Sequence, residues 1–280
     1  MSSVKHSLFA FALVVTPIQH SLATSVLVIE MKADIVYLAA DGLQRQSLSG
    51  QTSPFCKIKK LGNVYWAAAS NSYLNPNTGF DVEKIVASIG ATGTIESMMQ
   101  RFIKAVNEPL EREVAAIERN EPTEYAHYIA GTHDPLEIVF VGMEKGRPTW
   151  AVTRFFVKLD KDHIVIAPLR EPRVRPGTGL GLWGPAGDYV IDHLADFALD
   201  PTKTINQGLQ RAADADPTGV GRPFSVLRFT SSGPRWLERG ECKKPVVLQD
   251  KIKRSAATDA TVSPGMPSSP ALAASLVACP

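Results

Sequence analysis

Apolar positions follow two different periods along this chain. In "TSVLVIEMKADIVYLAADG" (24–42), apolar runs at 26–29 and 35–40 flank a polar stretch at 30–34, which predicts a β-hairpin. Residues 42–55 are polar, carry Gly50 and Pro54, and predict a loop. "CKIKKLGNVYWAAAS" (56–70) predicts two short strands turning at Gly62-Asn63, followed by a loop over 71–79. The period then changes. Val82, Ile85, Val86 and Ile89 recur at helical spacing, with Asp81 as the predicted cap and a break over 90–94. Ile95, Met98, Met99, Phe102, Ile103 and Val106 continue as a second helix, and 109–119 predicts a third, charged and mostly solvated.

Strands return at 136–143, 149–159 and 163–169. The stretch "EPRVRPGTGLGLWGPAG" (171–187) is rich in Pro and Gly and predicts irregular chain. Helices are expected near 189–198 and 202–213, and last strands at 224–230 and 235–237 with a turn at Ser232-Gly233-Pro234. Runs of strands are thus segregated from runs of helices. That order predicts an α+β class, with sheets packed together and helices over their outer faces.

Composition sharpens the ends of the chain. Residues 1–23 read as a secretory signal: Lys5 and His6 are positive, "SLFAFALVVTPI" (7–18) is apolar, and Ser21 and Ala23 are small residues before a cleavage point. The apolar run is shorter than the roughly 20 residues a spanning helix needs. Cleavage after Ala23 would make Thr24 the first residue of an exported chain, periplasmic or secreted. Residues 242–280 are rich in Ala, Ser and Pro without apolar periodicity and predict a disordered tail, leaving 24–241 as one domain. The 280 residues carry a net charge of +2, which provides no strong field for nucleic acid, and no membrane partner is expected once the leader is removed. Three cysteines, Cys56, Cys242 and Cys279, form neither a zinc pattern nor a disulfide framework; a Cys56–Cys242 bridge is compatible with the sequence but not selected by it.

Other motifs carry little chemistry. "GLGLWG" (179–184) satisfies G-x-G-x-x-G without the strand–turn–helix context of a dinucleotide site. His127 and His133, with Asp134 adjacent, fall in a loop and read as solvated rather than metal-ligating. No metal and no cofactor are expected.

The two N-terminal segments, together with "GPAGDYVIDHL" (184–194) and "DPTGVGRPFSVLRFTSSGPRWL" (216–237), resemble proteasome β-type subunits and their bacterial relatives, which are N-terminal nucleophile (Ntn) hydrolases. The matches span about 24–238. The resemblance implies a four-layer αββα sandwich, two antiparallel sheets between helix layers, and threonine-type cleavage of peptide or other amide bonds. In that chemistry one residue supplies both nucleophile and base. Its hydroxyl attacks the acyl carbon, and its α-amine, with a pKa near 8, takes the proton. The leader places this role on Thr24; counting back from Asp41 over the family's usual hairpin places it on Ser25. Asp41 would orient the base and hold Lys57, sixteen residues on, whose cation would depress the pKa of the α-amine. The oxyanion donor would be a backbone N–H at Ser70 or Asn71, where the family has glycine. Asp216 matches the family's last site aspartate. Pro185 and Gly219 stand where serines are expected, which leaves an inactive binding or assembly module, or a non-peptide amidase, as alternatives. Members of the family often assemble into rings, so a homo-oligomer is a further expectation.

Overall fold

The computed structural model describes residues 26–31, 34–45, 52–70, 73–131, 133–160, 163–170, 180–182 and 184–242. The segment 1–23 expected as a leader, Thr24, Ser25, Asn71, Trp183 and 243–280 lie outside the described residues.

The first hairpin forms as expected: β1 (Val26–Met31) pairs antiparallel with β2 (Ile35–Ala40), Val26 opposite Ala40. Both strands are apolar on both faces, so neither can be a solvated edge. The segment expected as a loop instead holds β3 (Leu43–Arg45) and β4 (Thr52–Pro54), a small antiparallel pair. Three-residue strands are too short to show a period, which is why sequence pattern misses them. Next come β5 (Lys59–Leu61) and β6 (Val64–Ala69), turning at Gly62-Asn63 with Gly62 at φ 59°, a left-handed conformation that glycine adopts freely. The short β7 (Leu74–Asn75) and β8 (Phe80–Asp81) lead into α1 (Val82–Ser88), where the Asp81 carboxylate accepts the Lys84 N–H as an N-cap.

The next helix corrects the sequence reading. α2 (Ile95–Asn120) is continuous through Pro109, rather than two helices. Proline removes one main-chain donor, but the apolar stripe of Phe102 and Val106 runs on through Leu110, Val114 and Ile117, all buried. Tertiary burial on both sides of the proline outweighs the lost bond, and 109–119 is therefore not a solvated segment. Glu113 is buried in the same stretch, accepting both Asn75 Nδ2 (3.0 and 3.1 Å) and the Thr78 hydroxyl. α3 (Pro122–Ile129) follows with proline at its first position, unanticipated from the sequence.

β9 (Leu136–Glu144), β10 (Arg147–Asp160) and β11 (His163–Arg170) form an antiparallel meander. The Pro/Gly stretch expected to be irregular contributes β12 (Leu180–Leu182), paired with β1. α4 (Gly184–Asp192) begins inside that stretch, and α5 (Leu194–Leu199) and α6 (Pro201–Ala215) succeed it. β13 (Ser225–Thr230) and β14 (Gly233–Glu238) are the last described strands.

Two five-stranded antiparallel sheets result, ordered β12-β1-β2-β13-β14 and β11-β10-β9-β6-β5. The class is α+β. Three apolar clusters hold the elements together. Val28, Leu38 and Phe229 of the first sheet pack with Ala67, Val139 and Val152 of the second. The other face of the second sheet, including Phe140 and Phe155, packs on Met98, Phe102 and Val114 of α2. The other face of the first sheet, including Leu27 and Ile29, packs on Val190, Phe197 and Leu209 of α4 to α6. Each fully buried side chain of this size contributes about 1.5–3 kcal/mol relative to exposure. Among the described residues, no helix is long and apolar enough to cross a membrane.

One small residue fixes how the strand ends meet. A Cβ on Gly42 would stand 2.1 Å from the Pro223 carbonyl oxygen, and the Gly42 N–H already donates to the Gly221 carbonyl at 2.8 Å. Because the obstructing atom is backbone, Gly42→Ala is expected to cost about 1–3 kcal/mol in urea unfolding. An unchanged midpoint would contradict this packing.

Candidate active site

β2 ends at Ala40, and the next residue, Asp41, turns its carboxylate back into the protein. Oδ2 accepts the backbone N–H of Leu43 at 3.1 Å and of Gly221 at 3.3 Å. Oδ1 accepts from Lys57 Nζ at 2.5 Å. Asp41 is fully buried and Lys57 is 3% exposed. Burial pushes the Lys57 pKa below the ordinary lysine value, and the Asp41 charge and hydrogen bond pull it back up. A buried ion pair of this kind is weak evidence for stability, since desolvation offsets the attraction. Titratable groups perturbed by burial and a specific partner are enriched at functional sites.

Lys57 lies in an irregular segment, 55–58, fastened at several points. Phe55 N–H donates to the Gly42 carbonyl at 2.8 Å. Cys56, immediately before the lysine, is disulfide-bonded to Cys242, 186 residues away in sequence. Cys242, which the sequence reading put at the start of the tail, is buried in the apolar cluster between the sheets. Lys59 and Lys60 stay out of the site: Lys59 pairs with Glu83 at 3.2 Å, and Lys60 is exposed.

The strand ends converge here. Val26 and Ser225 lie on either side of Ala40 in the first sheet. Ala40 and Ala69 both belong to the cluster between the sheets, each one residue before a candidate residue, Asp41 and Ser70. Cα atoms of β1 and β6 approach within 8 Å, against the usual spacing of about 10 Å between packed sheets.

Ser70 is half-buried and its hydroxyl donates to the Pro135 carbonyl at 2.8 Å. Asp216 caps the C-terminus of α6, and its Oδ1 accepts the Thr218 hydroxyl (2.8 Å) and the N–H groups of Thr218 (3.2 Å) and Gly219 (3.0 Å). The loop it begins ends at Gly221, whose N–H reaches Asp41, so the loop is tied to the Asp41–Lys57 pair through main chain. Of the expected site residues, Asp41 and Lys57 are therefore in direct contact and Asp216 is linked to them through its loop. Thr24, Ser25 and Asn71 lie outside the described residues, and of Pro185 only its place in α4 is described.

A second charged group lies about the start of β9, and of its members only Asp134, beside His133, stands out in the sequence. Arg154 Nε donates to Asp134 Oδ2 at 2.8 Å and to Glu137 Oε1 at 2.7 Å. A hint was available, since Glu137 interrupts the apolar strand "LEIVFVGM" at a position that alternation places on a buried face. His133 Nδ1 lies 3.0 Å from Glu124 Oε1, with His127 stacked on its ring at 4.4 Å. Among the described residues, no group of three or more His, Cys, Asp or Glu side chains could hold a metal ion.

No family model matches this chain, and no curated protein matches it. Among solved structures it is similar to "Anbu (Gly-1) mutant from Hyphomicrobium sp. strain MC1": 13% identity, 86% of this chain and 100% of that chain covered, TM-score 0.40. A likeness this loose adds nothing to the geometry above.

Proposed function

We propose that this protein is an exported N-terminal nucleophile hydrolase of four-layer αββα architecture that cleaves peptide or other amide bonds. The observation that carries the reading is the buried Asp41–Lys57 ion pair at the end of β2, with Val26 opposite Ala40 one residue away. The three apolar clusters support the layered architecture, since both faces of each sheet are covered.

In this reading, removal of 1–23 or 1–24 leaves Thr24 or Ser25 with a free α-amine. Its hydroxyl oxygen forms a bond to the substrate carbonyl carbon while the α-amine takes the hydroxyl proton. The resulting oxyanion is held by backbone N–H groups at Ser70 and Asn71. The C–N bond then breaks, and the amine leaves with the proton the α-amine carried. Water, activated by the same amine, hydrolyses the ester and restores the hydroxyl. Lys57 contributes a fixed positive charge that favours the unprotonated α-amine and the developing alkoxide. Asp41 holds that charge in place, and Asp216 orders the loop that leads to Gly221.

A covalent probe for N-terminal threonine or serine hydrolases, such as a peptide epoxyketone, tests this. Labelling is expected in the wild type and lost in Thr24→Ala or Ser25→Ala, whichever removes the leading residue. Gly219 stands where a supporting hydroxyl would be expected, and this favours a second reading, a catalytically silent binding or assembly module. Absence of labelling in a correctly processed chain would select it.

A further inference from the structure

We propose that Arg228, Arg235 and Tyr37 form a binding site for a phosphate group, as the free ion or as a monoester, on the helix-facing side of the first sheet. The site does not rest on the hydrolase reading. Tyr37 lies four residues before Asp41 along the chain of β2, about 13 Å away by strand rise.

Register builds the site. Arg228 on β13 is opposite Tyr37 on β2 and opposite Arg235 on β14, so the three lie in one row across neighbouring strands. Their face follows from the residues beside them. Leu38, Leu227, Phe229 and Trp236 belong to the cluster between the sheets, while Tyr37 and Val226 pack with the helices. Strand alternation therefore puts Arg228 and Arg235 on the Tyr37 face. Residues directly opposite on antiparallel strands have Cβ atoms about 4.5–5.5 Å apart, so two guanidiniums and a phenol can converge on one small ligand.

The row lacks a counter-charge. Arg228 is half-buried, and its Nε is buried without a hydrogen-bond partner. Arg235 is exposed. Among the described residues, neither guanidinium lies within 4.0 Å of a carboxylate. Glu238, the acidic residue of the same hairpin, is opposite Val226 and accepts instead from Asn206 Nδ2 of α6. Like charges directly opposite one another destabilise a sheet, and a buried donor without an acceptor costs free energy as well. An oxyanion seated between the arginines relieves both. Guanidinium forks match phosphate oxygens bidentately, and two of them balance a dianion, where a carboxylate leaves one positive charge over. Tyr37 supplies a third donor. Burial raises its pKa, which keeps the phenol protonated, while the nearby Arg228 charge opposes the rise. Its ring is held edge-on against Phe197 of α5, with centroids 5.7 Å apart.

Calorimetry on the full chain, near neutral pH and at constant ionic strength, tests this with inorganic phosphate, phenyl phosphate and acetate. At least one of the phosphates is expected to bind about tenfold or more tighter than acetate. Tighter binding of phenyl phosphate assigns the site to an organic monoester and tighter binding of the free ion assigns it to inorganic phosphate; either supports the site. Arg235→Ala, a change at an exposed position, is expected to weaken the preferred phosphate about tenfold. Arg228→Met separates ligand binding from a role in the fold. Without phosphate its urea midpoint is expected to lie above that of the wild type, since the unmet donor and the like-charge pair are gone. Added phosphate is expected to raise the wild-type midpoint and to leave that of Arg228→Met unmoved. Equal affinity for phosphate and acetate, binding unchanged in Arg235→Ala, or a lowered midpoint in Arg228→Met would overturn the proposal.

Discussion

Lys57→Met is expected to destabilise the protein by about 3–5 kcal/mol, because it leaves the Asp41 carboxylate fully buried without its cation. Two backbone N–H groups, from Leu43 and Gly221, would still reach that carboxylate, which keeps the cost from being larger. Asp41→Asn acts differently. It removes the charge that holds up the Lys57 pKa, so the buried lysine sheds its proton more readily than the wild-type residue does. The unfolded chain, with lysine at its ordinary value of about 10.5, then binds more protons than the folded one. Stability of Asp41→Asn accordingly rises with pH toward that value, and its deficit against wild type shrinks. The double variant removes both charges, and its asparagine can still accept from Leu43 and Gly221. It should recover much of the loss, giving a coupling of about 2 kcal/mol or more in a double-mutant cycle by urea unfolding. Simple additivity, with each single change costing under about 0.5 kcal/mol, would mean that the pair is not buried as described.

Removing the Cys56–Cys242 bridge is the second large effect. The bridge closes a loop of 186 residues, nearly the whole described fold, so chain entropy alone gives it about 5 kcal/mol, with measured bridges more often delivering about 2–4. Its location adds a local consequence. Cys56 precedes Lys57, and Cys242 is buried beside Ser225, whose register partner Ala40 precedes Asp41. Reduction, or a paired Cys56→Ala and Cys242→Ala change, is therefore expected to lower the urea midpoint and to speed amide exchange across 55–58 before the rest of the sheet. An unchanged midpoint in reductant would contradict the bridge; uniform exchange would show that it does not hold the lysine segment.

Much of the frame could be read from pattern. The β1–β2 hairpin, the Gly62-Asn63 turn and the Asp81 cap are local devices whose residues lie next to one another in sequence. The Asp41–Lys57 contact is longer in range, and its sixteen-residue spacing was interpretable only through a family resemblance. What escaped the pattern depends on distant partners. Pro109 is tolerated because Leu110 and Val114 pack on a sheet formed by other parts of the chain. β3, β4 and β12 are too short to carry a period, and exist because a partner strand meets them. No spacing rule joins Cys56 to Cys242. Glu137 reads as an ordinary polar interruption until Arg154 is brought opposite it by the β9–β10 register. Asp216 matched a family position, yet its Oδ1 is spent within its own loop, and its connection to Asp41 runs through the Gly221 main chain.

The proposed mechanism requires the residue before this hairpin to be a free N-terminus bearing a hydroxyl, beside Lys57. Intact-mass and N-terminal sequencing of the protein recovered from the cells that make it tests this most directly. A chain that begins at Thr24 or Ser25 with an unmodified amine is the expected result. A chain that keeps residues 1–23, or begins anywhere else, would contradict it.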